Sequence, residues 1–278
     1  MSETLRIDVS KVLQAKMPKK YRYVPRFVIK WIERIIHQDE LNYLLLKNKD
    51  KEGVDFADAV LKDLEIETAL VGEENLPAPD TAGRYIFVSN HPLGGLDGMA
   101  LIAMLGHRYG GIKFIVNDML MQVTPLRSVF LPANKVGRQS HEVARDINEA
   151  MAGAGQVATF PAGLCSRRSA DGTVSDLAWT KGFISKSVEY RRDVVPIYFD
   201  GLNSNFFYRM ARLRERIGIK LNIEMVLLPG EVFKNRGQRF TIHVGKPIKW
   251  ETFTGGRSPK SMAQEVKQIV YNLKTNKV

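Results

Sequence analysis

The chain has 278 residues, 44% of them hydrophobic and 26% charged, with a net charge of +11 and one cysteine, Cys165. These proportions exclude an intrinsically disordered chain, and a lone cysteine excludes an internal disulfide framework and fits a reducing compartment. No apolar run approaches the roughly 18 to 20 residues that cross a bilayer, and Met1 to Ser10 is polar and mixed in charge rather than signal-like, so a soluble or membrane-peripheral protein is expected.

Charge is unevenly spread. Residues 1–38 carry nine Lys/Arg against three Asp/Glu, residues 39–80 four against twelve, and the remainder 28 against 15. Such a chain suits nucleic acid or an anionic lipid surface. Nucleic-acid modules show aromatic RNP stretches, zinc-ligand spacing or a helix-turn-helix; none occurs, and nucleic acid is not expected as a partner. The five histidines (His37, His91, His107, His141, His243) are scattered and none sits at metal-ligand spacing from Cys or another His. No metal is expected. Gly153-Ala154-Gly155 lacks the third glycine of a dinucleotide loop, and there is no Walker A sequence.

From Pro25, apolar residues fall at positions 27, 28, 31, 32, 35 and 36, a helical stripe, with Arg26, Lys30 and Arg34 off it. Phe27 and Trp31 lie on the apolar side of this basic helix, which suits either a membrane interface or the core of its own domain. Further helices are predicted over Asp39–Lys47 and Asp55–Leu64, then an edge strand over Ile66–Val71. The linker Asn75–Asp80 divides a helical N-terminal region (1–75) from an α/β region (76–278). Strands are predicted at Tyr85–Ser89, Lys113–Val116, Gln156–Phe160, Val194–Phe199, Asn222–Leu227 and Arg239–Val244. Helical patterns occupy Gly98–Leu105, Ser140–Ala152 and Phe183–Tyr190. The alternation predicts an α/β fold with a central, mostly parallel mixed sheet flanked by helices. Ligands of such folds bind beyond the carboxyl ends of the strands.

The first of those strands runs into Ser89-Asn90-His91-Pro92-Leu93-Gly94-Gly95-Leu96-Asp97-Gly98. Histidine suits proton transfer at neutral pH, and a nearby carboxylate can fix its tautomer. Six positions turn about 600° on a helix and span about 20 Å on a strand, so the pair meets only if the segment doubles back. Gly94 and Gly95 are the residues that permit such a turn. The plainer alternative has Asp97 capping a helix from Gly98 and His91 as a surface loop residue.

Other strand ends carry further candidates. Val129-Phe130-Leu131-Pro132 leads to Asn134-Lys135-Val136-Gly137-Arg138. Phe160-Pro161-Ala162-Gly163-Leu164-Cys165-Ser166-Arg167-Arg168 is a Pro-Gly turn with paired arginines, a plausible anion cradle or else a solvated loop. Trp179-Thr180-Lys181-Gly182 precedes a helix, and Val194 to Gly201 is an apolar strand interrupted by Pro196.

Taken in order, these segments resemble the glycerolipid acyltransferase family, the superfamily of lysophosphatidate acyltransferases, over roughly residues 70–250. Asn90, His91 and Asp97 match its first motif, and Val129 to Arg138 loosely matches its second. Phe160, Pro161, Gly163 and Ser166 match the third, and Val195, Pro196 and Ile197 the fourth. Thr241 to Ile248 looks like its final strand. The chain departs from the family in two places. Five residues rather than four separate His91 from Asp97, as in the branch called hemolysin-like or lyso-aminolipid acyltransferase. Ala162 and Cys165 replace the usual glutamate and arginine of the third motif, which weakens the case for a glycerol-phosphate acceptor, while Arg167 and Arg168 can still serve a phosphate or a carboxylate; the acceptor is of lyso-aminolipid or lysophosphatidate type.

The resemblance implies acyl transfer from a thioester of acyl carrier protein or coenzyme A to the hydroxyl of a single-chain lysolipid, with no other cofactor. His91 is then the general base and Asp97 its orienting carboxylate. Arg138, Arg167, Arg168 and Lys181 are candidates for the acceptor headgroup or the donor, and Asn90, Gly94, Gly95, Phe160, Pro161, Gly163, Ser166 and Pro196 line the substrate side through the matched motifs. A bilayer-borne acceptor gives the basic N-terminal helix a purpose: peripheral docking on an anionic surface at the cytoplasmic face of the inner membrane. Two other readings stand beside this one. They are a basic, non-enzymatic binder of phosphate-rich ligands or RNA, and a lipid or thioester hydrolase, against which the lack of a Gly-x-Ser-x-Gly elbow counts.

Overall fold

The computed structural model describes residues 7–16, 18–79, 83–133, 141–219 and 222–275. Five helices come first: α1 (Val9–Lys16), α2 (Pro18–Tyr21), α3 (Arg26–Ile35), α4 (Gln38–Lys47) and α5 (Gly53–Asp63). Strands β1 (Glu67–Val71) and β2 (Tyr85–Ser89) follow, then α6 (Leu96–Tyr109), β3 (Ile112–Asn117), β4 (Phe130–Ala133), α7 (His141–Ala152) and β5 (Gln156–Thr159). A small antiparallel hairpin, β6 (Arg167–Arg168) with β7 (Val174–Ser175), leads to α8 (Gly182–Tyr190) and β8 (Asp193–Asp200). Helices α9 (Asn205–Arg216) and α10 (Leu228–Lys234), strand β9 (Arg239–Val244) and α11 (Pro259–Asn272) complete the chain.

The main sheet has the order β1-β9-β8-β2-β5-β3-β4. Every neighbouring pair is parallel except β8 and β9. The mostly parallel α/β sheet expected from the alternation is the one observed. Being covered on both faces, its central strands are apolar on both sides. Phe87 of β2 points into a core shared with α5 and α6, whereas Ile86 and Val88 point into a second core closed by α7, α8 and α11. Strand β1 forms the edge, pairing with β9, and α5 packs on α6, so residues 53–71 are built into the sheet's own core.

One buried cation ties the amino-terminal end of the central strands. The guanidinium of Arg192, wholly buried, donates to the carbonyls of Ala150, Met151, Gly153, Gly155 and Tyr85. The first three lie at the C-terminal end of α7, where the helix dipole favours a positive charge. Burial lowers the Arg192 pKa to about 10, still charged at neutral pH.

Two sequence expectations change. The strand expected over Asn222–Leu227 is a 3-10 turn, Ile223–Leu227, running into α10. Pro229 suits a first helical turn, and Leu227 and Leu228 pack with Phe207, Tyr208 and Cys165 in a small cluster away from the sheet. The stripe of α3 also divides. Of its members Ile36 is buried against Val9, joined there by Ile29 from off the stripe, while Phe27 and Trp31 remain 73% and 57% exposed.

Candidate active site

Strand β2 ends at Ser89, and the next side chain, Asn90, continues its ladder by amide mimicry. Its Oδ1 accepts the Phe199 N–H at 2.7 Å and its Nδ2 donates to the Phe199 carbonyl at 2.9 Å. His91 therefore leaves the sheet from a fixed point. Its main chain is held on both sides: the N–H donates to Asp176 Oδ1 at 3.2 Å, and the carbonyl accepts the Ser166 N–H at 2.8 Å.

The chain then doubles back. Gly94 has φ +75°, and a Cβ there would lie 2.7 Å from Leu228 Cδ1, so both conformation and space call for glycine. Gly95, the N-cap of α6, has φ −159° and ψ −60°, outside the left-handed region. The doubling back brings His91 Nδ1 to 3.0 Å from Asp97 Oδ2. Asp97 lies inside the first turn of α6 rather than before it. Its carboxylate, fully buried, also accepts the N–H groups of Leu93 (3.0 Å), Gly94 (3.4 Å) and Gly98 (2.9 Å). Burial pushes its pKa up, but the His91 charge and hydrogen bond, with the Leu93 and Gly98 N–H groups, outweigh burial and hold it below the usual carboxylate range. The group stays ionised.

An ionised acceptor at Nδ1 selects the tautomer with the proton there and the lone pair on Nε2. Phe160 stacks on the imidazole, centroids 4.0 Å apart and planes 24° from parallel, fixing the ring plane. Phe160 opens a tight turn in which Gly163, at φ +64°, donates its N–H to the Phe160 carbonyl. The Pro161 carbonyl accepts from the N–H and hydroxyl of Thr180, which fastens this turn to the start of α8.

The sequence-derived candidates thus separate by position. His91, Asp97, Asn90, Gly94, Phe160 and Ser166 converge, and Gly95 sits at the helix entrance beside Val232. Arg167 is buried, with Nη2 at 2.7 Å from Glu224, whose other oxygen lies 2.9 Å from Arg214 Nε. Arg168 donates to Asn205 Oδ1 at 2.7 Å and lies over the Tyr208 ring. Lys181 is exposed just before α8. Pro196 is buried within β8 opposite Val88. Arg138 lies outside the described residues. Cys165 is fully buried, and burial, chiefly, pushes its thiol up to about 11, so it is no nucleophile at neutral pH.

Sequence reasoning missed Asp176. Its carboxylate, nearly buried, accepts from the His91 N–H, the Ser166 hydroxyl (2.6 Å) and Trp179 Nε1 (2.9 Å). It thereby links three stretches that the motifs had marked separately. It also missed Glu224, placed between two arginines, and Asn203, whose Nδ2 donates to the Pro92 carbonyl.

With an ionised carboxylate, an oriented imidazole and a stacked aromatic at a strand end, the site is equipped for general-base catalysis. Residues 11–277 match the Acyltransferase family. The chain belongs to that family. Two relatives of this acyltransferase are named lyso-glycine lipid O-acyltransferase. That of Bacteroides thetaiotaomicron is 47% identical over 268 residues, 96% of this chain and 97% of the relative. That of Phocaeicola vulgatus is 46% identical, covering 96% and 95%. A solved structure, the 1-acyl-sn-glycerophosphate acyltransferase PlsC of Thermotoga maritima, shows 18% identity and a TM-score of 0.45 while covering 91% of this chain and 94% of that one.

Proposed function

We propose that this acyltransferase moves a fatty acyl group from a thioester to the hydroxyl of a lyso-glycine lipid. The observation that carries the reading is the 3.0 Å contact between His91 Nδ1 and a buried, triply N–H-bonded Asp97. His91 Nε2 takes the proton of the acceptor hydroxyl as its oxygen attacks the thioester carbonyl. The imidazolium, stabilised by Asp97, returns that proton to the departing thiolate as the tetrahedral intermediate collapses. The acceptor hydroxyl is itself the nucleophile, so the protein needs none of its own.

Support for a glycine rather than a glycerol-phosphate headgroup comes from the names of the two relatives and from the third-motif loop. Cys165 stands where the wider family has arginine, buried beside Phe207 and Leu228. The charge of Arg167 is taken by Glu224. A glycine acylated on nitrogen ends in a single carboxylate, which asks for fewer cations than a phosphate; Arg168 and Lys181 are the groups we assign to it.

The donor is acyl carrier protein or coenzyme A thioester, and docking is peripheral, at the cytoplasmic face. No described helix is long and apolar enough to cross a membrane, and the exposed Phe27 and Trp31 of α3, beside Arg26, Lys30 and Arg34, suit an anionic leaflet.

The test incubates the purified protein with acyl carrier protein and coenzyme A thioesters and a panel of lysolipids, reading products by mass. O-acylated glycine lipid is expected from at least one donor. Free fatty acid as the sole product would make the protein a hydrolase, and faster acylation of lysophosphatidate would overturn the assigned acceptor.

A further inference from the structure

Large apolar side chains that stay exposed gather in two places. One is the α3–α4 region. The other is α9 with its lead-in: Leu202, Phe206, Leu213 and Ile217, each about half exposed. On a helix, positions 206, 213 and 217, with half-buried Met210, fall within about 60° of arc. The opposite side of α9 already has its own core, formed by Phe207, Tyr208 and Ala211. The outward stripe is therefore surplus to folding.

Its flank is basic. Arg209 and Arg216 are exposed along one edge of the stripe, Arg212 lies behind them, and Lys234 of α10 sits 5.5 Å from the Phe206 ring centroid. Long cationic side chains beside an apolar stripe let hydrocarbon bury the stripe while the charges reach anionic headgroups. An acidic protein partner would answer the arginines, but not four large apolar groups in line on a convex helix.

This face is also indexed to the catalytic turn. Asn203, just before α9, donates to the Pro92 carbonyl next to His91, and Ser204 caps α9 while bonding Glu231 of α10. Helix α10 in turn meets the α3–α4 junction, where Phe233 packs on His37.

We propose that α9 is a second membrane-docking surface: its Phe206–Leu213–Ile217 stripe enters an anionic leaflet and sets the height of the His91 turn above it. The proposal rests on the reading of a lipid acceptor, but its readout does not. The full chain and two double variants, Leu213→Glu with Ile217→Glu and Arg209→Glu with Arg216→Glu, are sedimented with phosphatidylcholine vesicles with and without phosphatidylglycerol. Both variants should bind the anionic vesicles about tenfold or more weakly. They should keep the parent circular-dichroism spectrum and the parent turnover of a short-chain acceptor below its micelle concentration. Unchanged vesicle binding overturns the proposal. So does loss of self-association, or of acyl carrier protein binding, with vesicle binding intact. A wild type that binds vesicles through α9 yet transfers no acyl group defeats the acyltransfer reading alone. Phe27→Glu with Trp31→Glu tests α3 separately.

Discussion

The main-chain N–H of His91 donates to Asp176 Oδ1 at 3.2 Å, while the imidazole of the same residue meets Asp97. One carboxylate aims the ring and another fixes the backbone that carries it. Asp176 is 85 residues away in sequence and reaches His91 across the turn that also presents Ser166 and Trp179. Positional precision at His91 is thus a property of two loops clasped together.

Removing the proposed base should be felt in the chemistry alone. His91→Ala is expected to lower kcat by about 10²–10⁴-fold with an unchanged circular-dichroism spectrum, measured with saturating donor and acceptor. An active His91→Ala protein would sink the assignment.

Asp176→Ala leaves the His91 N–H, the Ser166 hydroxyl and the Trp179 indole without their acceptor, so stability should fall by about 1–3 kcal/mol. The kinetic effect should appear in kcat, about tenfold or more, with KM little changed, because the residue acts through His91. Asp176→Asn retains Oδ1 for His91 and Ser166 but turns an NH2 toward the indole donor. Combining it with Trp179→Phe should recover activity that Asp176→Asn alone loses; no recovery would reduce Asp176 to a general structural role.

The two glycines of the turn should behave differently. Gly94→Ala forces a Cβ at positive φ against Leu228 and is expected to destabilise by roughly 1–3 kcal/mol. Gly95→Ala, at φ −159° with 3.5 Å to Val232 Cγ2, should stay within about 1 kcal/mol of the parent. Urea midpoints compare them, and equal losses would contradict the geometry.

Asp97 also predicts an acid limb. Its folded pKa lies below the unfolded value of about 3.9. Its contribution to stability is therefore complete above the unfolded value and is lost as pH falls through the folded one. Asp97→Asn should flatten the fall of Tm below about pH 4 and have its largest cost near neutrality. A parallel shift of both curves at all pH values would refute this.

Glu224→Gln leaves Arg167 and Arg214 facing each other without the intervening charge. Breaking such a buried arrangement costs about 3–5 kcal/mol, readable as a lowered denaturation midpoint.

Much of this site was legible in the sequence because its signals are local. The β2 run, the paired glycines and the His91-to-Asp97 interval sit within fourteen residues, and the interval is intelligible only if the chain folds back. The sequence could not apportion the two glycines, since Gly94 alone takes the left-handed conformation, nor place Asp97 inside α6. Asp176 and Glu224 gave no local sign, because His91 and Arg167, the partners that tie them to the matched motifs, lie 85 and 57 residues away. The misread strand over Asn222–Leu227 is instructive. Short apolar runs look alike in strands and buried turns, and Pro229 was the signal that a helix begins there.

The edge of the sheet carries a consequence for how the protein is made. Among the described residues β1 pairs with β9 alone, Glu67 with Arg239 through Val71 with His243. A ribosome therefore delivers this strand some 170 residues before that partner. Until then its hydrogen-bonding row is open to any other extended chain, and the segment is short and carries Glu67 at its start. A chain cut anywhere before β9 inherits an unguarded edge.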